Sequence, residues 1–211
     1  MGLPVLILGE SGSGKTASLR NMLNTECYVF NVAGKEFSFK NKNKLMKANN
    51  CGYSDIKDLL LKAMNKPDNQ IKTFVIDDSQ YLMAFELFGK AKETGYGKFT
   101  DIAVHFRDLL NFIVTVLPKD YIVYLFHHVD RTDDGRIKAK TSGKMLDNQL
   151  TIEGLFTNVI MCTVNQGKYE FMVHDRDGIS PVKTPIGMFE EEYIENDLKL
   201  VDKAIREYYE F

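Results

Sequence analysis

Apolar positions along this chain fall into short, nearly unbroken runs at 4–8, 27–32, 73–76 and 121–126, separated by stretches where they recur at helical spacing. Such runs read as strands buried on both faces of a parallel sheet, and the alternation with helical stretches reads as β–α–β units. The helices are expected over 15–23, from Ser54 as cap to a stop at Pro67, over 80–92, and over 100–117 with Pro118 as the stop. In the second of these, Ile56, Leu59, Leu60, Ala63 and Met64 form one apolar face. Residues 33–53 read as loop, and 93–98 (Glu-Thr-Gly-Tyr-Gly-Lys) as a mobile connector. Beyond 127 the pattern changes to hairpins. Asp134-Gly135 joins two short extended runs, and Asn165-Gln166-Gly167 separates 158–164 from 168–173. The chain then returns to helix, with Leu198, Val201, Ile205 and Tyr208 at helical spacing. The expected architecture is α/β, a mainly parallel central sheet flanked by helices with antiparallel hairpin additions in the C-terminal half. One domain is expected over 1–211, with a core over about 1–165 and a C-terminal hairpin and helix over about 166–211.

The first apolar run leads directly into Gly9-Glu10-Ser11-Gly12-Ser13-Gly14-Lys15-Thr16, which matches the phosphate-binding pattern G-x-x-x-x-G-K-[ST] in its strand-then-helix setting. The glycines let the backbone curl so that successive N–H groups face anionic oxygens, and the helix start adds its positive dipole end. Lys15 is placed to reach β- and γ-phosphates, and Thr16 to offer a hydroxyl to Mg²⁺, an ion that keeps most of its own waters. The third run ends in Asp77-Asp78. Parallel strands deliver the residues at their carboxyl ends to one rim, so Asp77 is expected to face the metal held by Thr16. Asp78 has two readings: it orients or deprotonates the attacking water, or, with Ser79, it caps the helix that starts near Gln80.

Composition narrows the surroundings of this chemistry. The chain has 211 residues, 44% apolar, with a net charge of −2, so any nucleic-acid site has to come from local clustering of charge. Cys27, Cys51 and Cys162 are odd in number and contain no C-x-x-C, which argues against a disulfide framework and a zinc site and fits a reducing cytoplasm. No apolar run approaches membrane-spanning length, and no basic region precedes the first run as in a signal peptide. Leu6 occupies the place where myristoylation of Gly2 needs Ser or Thr.

Three weaker constellations each carry two readings. Arg136, Lys138 and Lys140 alternate in the second arm of the Asp134-Gly135 hairpin, so they share one strand face. They act either as fingers on a neighbouring subunit's phosphates or as a charged, solvated edge strand. His127 and His128 follow the fourth run, either sensing the γ-phosphate or serving as hydrogen-bonded structural residues. Lys35, Lys40, Lys42, Lys44 and Lys47 surround Phe37 and Phe39, a mixture that suits single-stranded nucleic acid or simply a soluble loop. The acidic stretch Glu190–Asp197 is expected before and at a helix N-terminus, where the dipole favours it, with a DNA-competing tail as the rival reading.

Together, several blocks resemble the phage-encoded, RecA-like single-strand annealing ATPases, a group of P-loop nucleotide-binding proteins. They are 9–16, 31–35, 75–78 with Gln80-Tyr81-Leu82-Met83, 140–147, and the C-terminal set Ser180-Pro181, Gly187-Met188-Phe189-Glu190 and Asn196-Asp197-Leu198. The resemblance implies a RecA-type core, ATP and Mg²⁺ as ligands, single-stranded DNA binding, and annealing or strand pairing in phage recombination within the host cytoplasm. It also implies assembly into a ring or filament and a single-strand-binding protein as partner. By the same resemblance Lys138 and Lys140 look like the paired lysines that reach a neighbour's ATP. RecA itself carries its catalytic glutamate at the end of the second core strand, where this chain has Asn31-Val32-Ala33-Gly34, so Glu36 or Asp78 takes that work, or hydrolysis is slow. Two rival functions stand beside it: a P-loop nucleotide or nucleoside kinase, and a nucleotide-dependent loader or switch that hardly hydrolyses ATP.

Overall fold

All four apolar runs become strands at the centre of one sheet. In the computed structural model, which describes residues 1–148 and 150–211, the strands are β1 (Leu3–Leu8), β2 (Cys27–Asn31), β3 (Met46–Asn49), β4 (Thr73–Asp77), β5 (Ile122–His127), β6 (Val129–Arg131), β7 (Ile137–Ala139), β8 (Asn158–Asn165), β9 (Lys168–Met172) and β10 (Tyr193–Glu195). The helices are α1 (Tyr53–Asn65), α2 (Gln80–Gly89), α3 (Gly97–Val116), α4 (Lys144–Asp147) and α5 (Leu198–Tyr209). The main sheet has the order β10-β9-β8-β1-β5-β4-β2-β3, and β6 and β7 form a separate hairpin. From β8 through β3 every neighbouring pair is parallel, whereas β9 and β10 are antiparallel additions. The architecture is therefore α/β, with a mostly parallel mixed sheet flanked by helices.

Alternation along the central strands feeds two cores at once. Leu6, Leu8, Phe30, Ile76 and Leu125 pack on one face beneath α1, α2 and α3, while Val5, Ile7, Val29, Val75 and Phe126 pack on the other beneath α5. Burial on both faces explains why these strands read as continuous apolar runs. Each fully buried Leu, Ile or Phe contributes about 1.5–3 kcal/mol through the water it sheds.

Several boundaries differ from expectation. Asn158–Asn165 is no mere hairpin addition, because β8 pairs in parallel with β1 on one side and antiparallel with β9 on the other. The expected turn between β8 and β9 is present, with Gln166 and Gly167 both at positive φ, 48° and 82°. The helix after the phosphate loop is only a 3-10 segment, Thr16–Asn21. Asn43 Nδ2 donates to the carbonyls of Arg20 (3.4 Å) and Met22 (3.1 Å), so a distant side chain satisfies the orphan acceptors and the helix stops. Within the expected loop 33–53, β3 adds an edge strand beside β2. Ser54 is not the cap of α1; the helix begins one residue earlier, and the Gly52 N–H donates to Asp55 Oδ2 at 2.9 Å. Helix α2 ends at Gly89 and α3 starts at Gly97, which moves the connector toward the N-terminus, to 90–96. Asp197 does cap α5, its Oδ1 accepting from the Lys199 N–H at 3.0 Å.

Candidate functional site

Because β1, β4 and β5 run in parallel, Gly9, Asp77 and His127 arrive at one rim of the sheet. The Gly9 N–H donates to the His127 carbonyl at 3.1 Å, after which the chain leaves the ladder and curls. Gly12 and Gly14 take φ of +79° and +100°, in the left-handed region where other residues are strained. A Cβ on Gly14 would also stand 3.0 Å from Tyr169 Cδ1 and 3.2 Å from the Asn196 amide atoms. Lys15 folds along this loop, its Nζ donating to the carbonyls of Gly9 (2.7 Å) and Glu10 (2.9 Å), and burial lowers its pKa below the ordinary lysine range.

Thr16 Oγ1 meets the Asp77 carboxylate at 3.0 and 3.1 Å, so the residue after Lys15 and the residue ending β4 are brought together as expected. Burial first, and then the neighbouring Asp78 charge, push the Asp77 carboxyl up to about 6. Its charge is thus poorly compensated by the protein itself.

Asp78 is built differently. It sits at φ +61°, a left-handed conformation that costs a non-glycine residue about 1–3 kcal/mol. Lys35 Nζ donates to its Oδ2 at 2.7 Å and His128 Nε2 to its Oδ1 at 3.2 Å. Against the upward push of burial, these two bonds hold the Asp78 carboxyl well below the usual carboxylate range, and the same contact raises Lys35. Asn31, at the end of β2, fixes the loop that carries Lys35: its Nδ2 donates to the Lys35 carbonyl and its Oδ1 accepts from the Lys35 N–H at 3.2 Å. The capping reading of Asp78 and Ser79 is corrected, since neither side chain bonds the start of α2. Ser79 Oγ turns instead toward the Phe126 carbonyl and His127.

His127 lies inside the fold and not in the cleft. Its Nε2–H donates to the Lys140 carbonyl at 2.7 Å, leaving Nδ1 to accept from Ser79 Oγ at 2.9 Å. Burial lowers its pKa to about 4, so it is a neutral, hydrogen-bonded residue, and of the two histidines His128 is the one beside the carboxylates. A cleft of about 350 Å³ opens over the loop, lined by Gly12, Lys15, Thr16, Lys35, Asp77 and His128 among others. A larger cavity of about 790 Å³ lies elsewhere, around Thr73, Asp202 and Arg206, away from the phosphate loop.

The remaining candidates scatter. Glu36 lines the cleft, but its side chain is 90% exposed and pairs with Lys47 at 2.9 Å. In the hairpin row, Arg136 pairs with Asp134 at 3.2 Å and Lys138 with Asp147 at 2.7 Å, so the three cations are not one free row. Lys140 is exposed and forms no ion pair among the described residues. The hairpin still borders the site, because Arg131 comes within 3.9 Å of Glu10. Lys40, Lys42 and Lys44 are exposed and unpaired among the described residues, but Phe37 and Phe39 stack on each other at 5.0 Å and pack against the second core, so their faces are not open platforms. Sequence reasoning missed Lys35 as a partner of Asp78; the only available signal was its position four residues after the end of β2.

The donor set fits a small hard cation bound mainly by phosphate and water. Thr16 offers a hydroxyl and Asp77 a carboxylate, while no cluster of three or more His, Cys, Asp or Glu among the described residues forms a self-sufficient metal cage. No helix among the described residues is long and apolar enough to cross a membrane. No protein-family model matches the chain, and a search among curated proteins finds no match.

Proposed function

We propose that this chain is a magnesium-dependent ATPase with a RecA-type core, which binds single-stranded DNA and promotes annealing during phage recombination. The observation that carries the ATPase reading is the meeting of Thr16 and Asp77 directly beneath the glycine-rich loop. It joins two motifs 61 residues apart in the sequence, at the spacing one metal ion needs. The strand order agrees with the reading, since β5 lies between β1 and β4 and the residue that follows it, His128, reaches the same rim. The DNA reading rests on the family resemblance and on the exposed lysines 40, 42 and 44.

In this mechanism the loop N–H groups and Lys15 bind the triphosphate, and Lys15 exchanges its bonds to Gly9 and Glu10 for phosphate oxygens. Thr16 and Asp77 would hold Mg²⁺, which would supply positive charge against the charge that develops on the phosphates. Asp78 takes the proton from a water whose oxygen attacks the γ-phosphorus, while the bond from that phosphorus to the β–γ bridging oxygen breaks and ADP leaves with the electron pair. Both Asp78 oxygens are engaged, however, by Lys35 and by His128. Asp78 therefore has to be released before it can act. This lock favours a second reading in which the protein is a nucleotide-dependent switch with slow basal turnover.

ATP turnover with no acceptor, with single-stranded DNA and with a nucleoside panel tests the proposal. Stimulation by DNA is expected, and a phosphorylated nucleoside would replace the reading with a kinase. Turnover that DNA does not raise, despite normal ATP affinity, would leave only the switch. DNA affinity should fall with salt at a log–log slope of about −0.7 per phosphate neutralised, and reversing the charges of Lys40, Lys42 and Lys44 should flatten that slope.

A further inference from the structure

Beside the phosphate cleft runs a second groove of about 690 Å³, and the two share Ala17 and Tyr169 in their walls. Tyr169 on β9 is half exposed, yet its ring edge reaches the last glycine of the phosphate loop, 3.0 Å from where a Cβ on Gly14 would stand. The ring thus stands where one space opens into the other. Tyr193 on β10 adds a second partly exposed ring to the groove. Arg20 is held against the floor by the Asn196 carbonyl and by Glu195 at 3.1 Å.

The two spaces hold similar numbers of charges but differ in what they offer a ligand. The cleft contains the glycine-rich loop with Lys15, and opposite it Asp77, Asp78 and Glu36. The groove has no part of that loop, reaching only Ala17 just after it, and presents the rings of Tyr169 and Tyr193 beside Glu170, Glu191 and Glu195. These carboxylates accept hydrogen bonds from N–H and O–H donors. A flat, uncharged group bearing such donors, attached to a triphosphate held by the loop, matches the exposed ring of Tyr169 beside them, and the volume lies within the range of small-molecule sites.

We infer that this groove is the nucleoside subsite, with the nucleobase stacked on Tyr169 and the ribose near Ala17. The inference rests on the proposed binding of a nucleoside triphosphate in the adjoining cleft. It assigns base affinity to the antiparallel additions β9 and β10, and phosphate affinity to the parallel core.

Calorimetric titration of the full chain with Mg-ATP and with Mg-tripolyphosphate separates the two claims. In Tyr169→Ala the affinity for ATP should fall about tenfold while that for tripolyphosphate changes less than twofold. Tyr169→Phe keeps the ring and should bind both like the wild type, and retained tripolyphosphate binding shows that the variants are folded. If Tyr169→Ala weakens both ligands equally, or neither, the subsite assignment is overturned while the phosphate site stands. If the wild type binds neither ligand, the nucleotide reading itself falls and takes the subsite with it.

Discussion

Strand β4 begins at a threonine and ends at an aspartate, and each meets a complementary partner from a distant part of the chain. At the start, Thr73 Oγ1 donates to Asp202 Oδ1 at 2.9 Å. At the end, Asp77 receives the Thr16 hydroxyl at 3.0 Å. The Asp202 carboxylate is saturated: Tyr124 OH donates at 3.0 Å and Arg206 Nε at 2.8 Å, and Arg206 goes on to bond Thr73 and the Asp120 carbonyl. Asp77 forms no ion pair among the described residues, and its carboxyl is driven up to about 6. A carboxylate completed by its own protein holds α5 to the sheet; one left short of positive charge is ready for a ligand that brings some. This also explains why the larger cavity beside Asp202 is a poor candidate for the chemistry, since its central polar groups are already engaged with one another.

The contrast can be broken at either end. The largest effect is expected for Asp202→Ala, which removes the ion-pair partner of Arg206 and the acceptor of the buried Tyr124 hydroxyl and should cost about 3–5 kcal/mol of stability in chemical denaturation. Turnover per folded molecule should not change, and a lost activity would mean that the two ends are coupled. Asp77→Asn should do the opposite. Turnover should fall about a hundredfold with a weakened Mg²⁺ dependence, while the midpoint of unfolding stays level or rises because a buried, under-compensated charge is gone.

A smaller effect sharpens the comparison through pH. His127 has its folded pKa depressed to about 4 from 6.5, so between these values the unfolded chain binds the proton and the folded chain does not. Stability from this residue is fully present above pH 6.5 and declines as pH falls toward 4, by about 2 kcal/mol between pH 6.5 and 5. His127→Gln should remove that part of the slope in denaturation curves at the two pH values. The smallest effect expected is for Lys35→Ala, which unlocks one Asp78 oxygen. Basal ATP turnover should rise about threefold and its stimulation by DNA should shrink. A fall in basal turnover would instead make Lys35 a ligand of the phosphates.

What was legible in the sequence follows the same physics. The central strands were visible because burial on both faces demands continuous apolar runs, and the Thr16–Asp77 meeting followed from parallel strands ending at one rim. Strand β3 was not visible: Met46-Lys47-Ala48-Asn49 is an edge strand exposed at both ends, and no apolar alternation marks it. The choice between His127 and His128 turns on where the β5 ladder ends, which two adjacent identical residues cannot signal. Lys35 was hidden because a single cation in a loop has no period, and only the folding of its loop around Asn31 brings it to Asp78. The hairpin cations looked like one row because strand parity was the only guide. Asp134 and Asp147, which tie up two of them, come from the turn and from α4.

The left-handed backbone at Asp78 sets strain against side-chain bonding within a single residue. Glycine adopts φ +61° without steric strain, so Asp78→Gly removes about 1 kcal/mol or more of strain together with the carboxylate oxygens that bond Lys35 and His128. Those bonds hold the Asp78 carboxyl below its unfolded value and so stabilise the fold at neutral pH. The two terms oppose each other, so Asp78→Gly should lose activity without a gain in the unfolding midpoint.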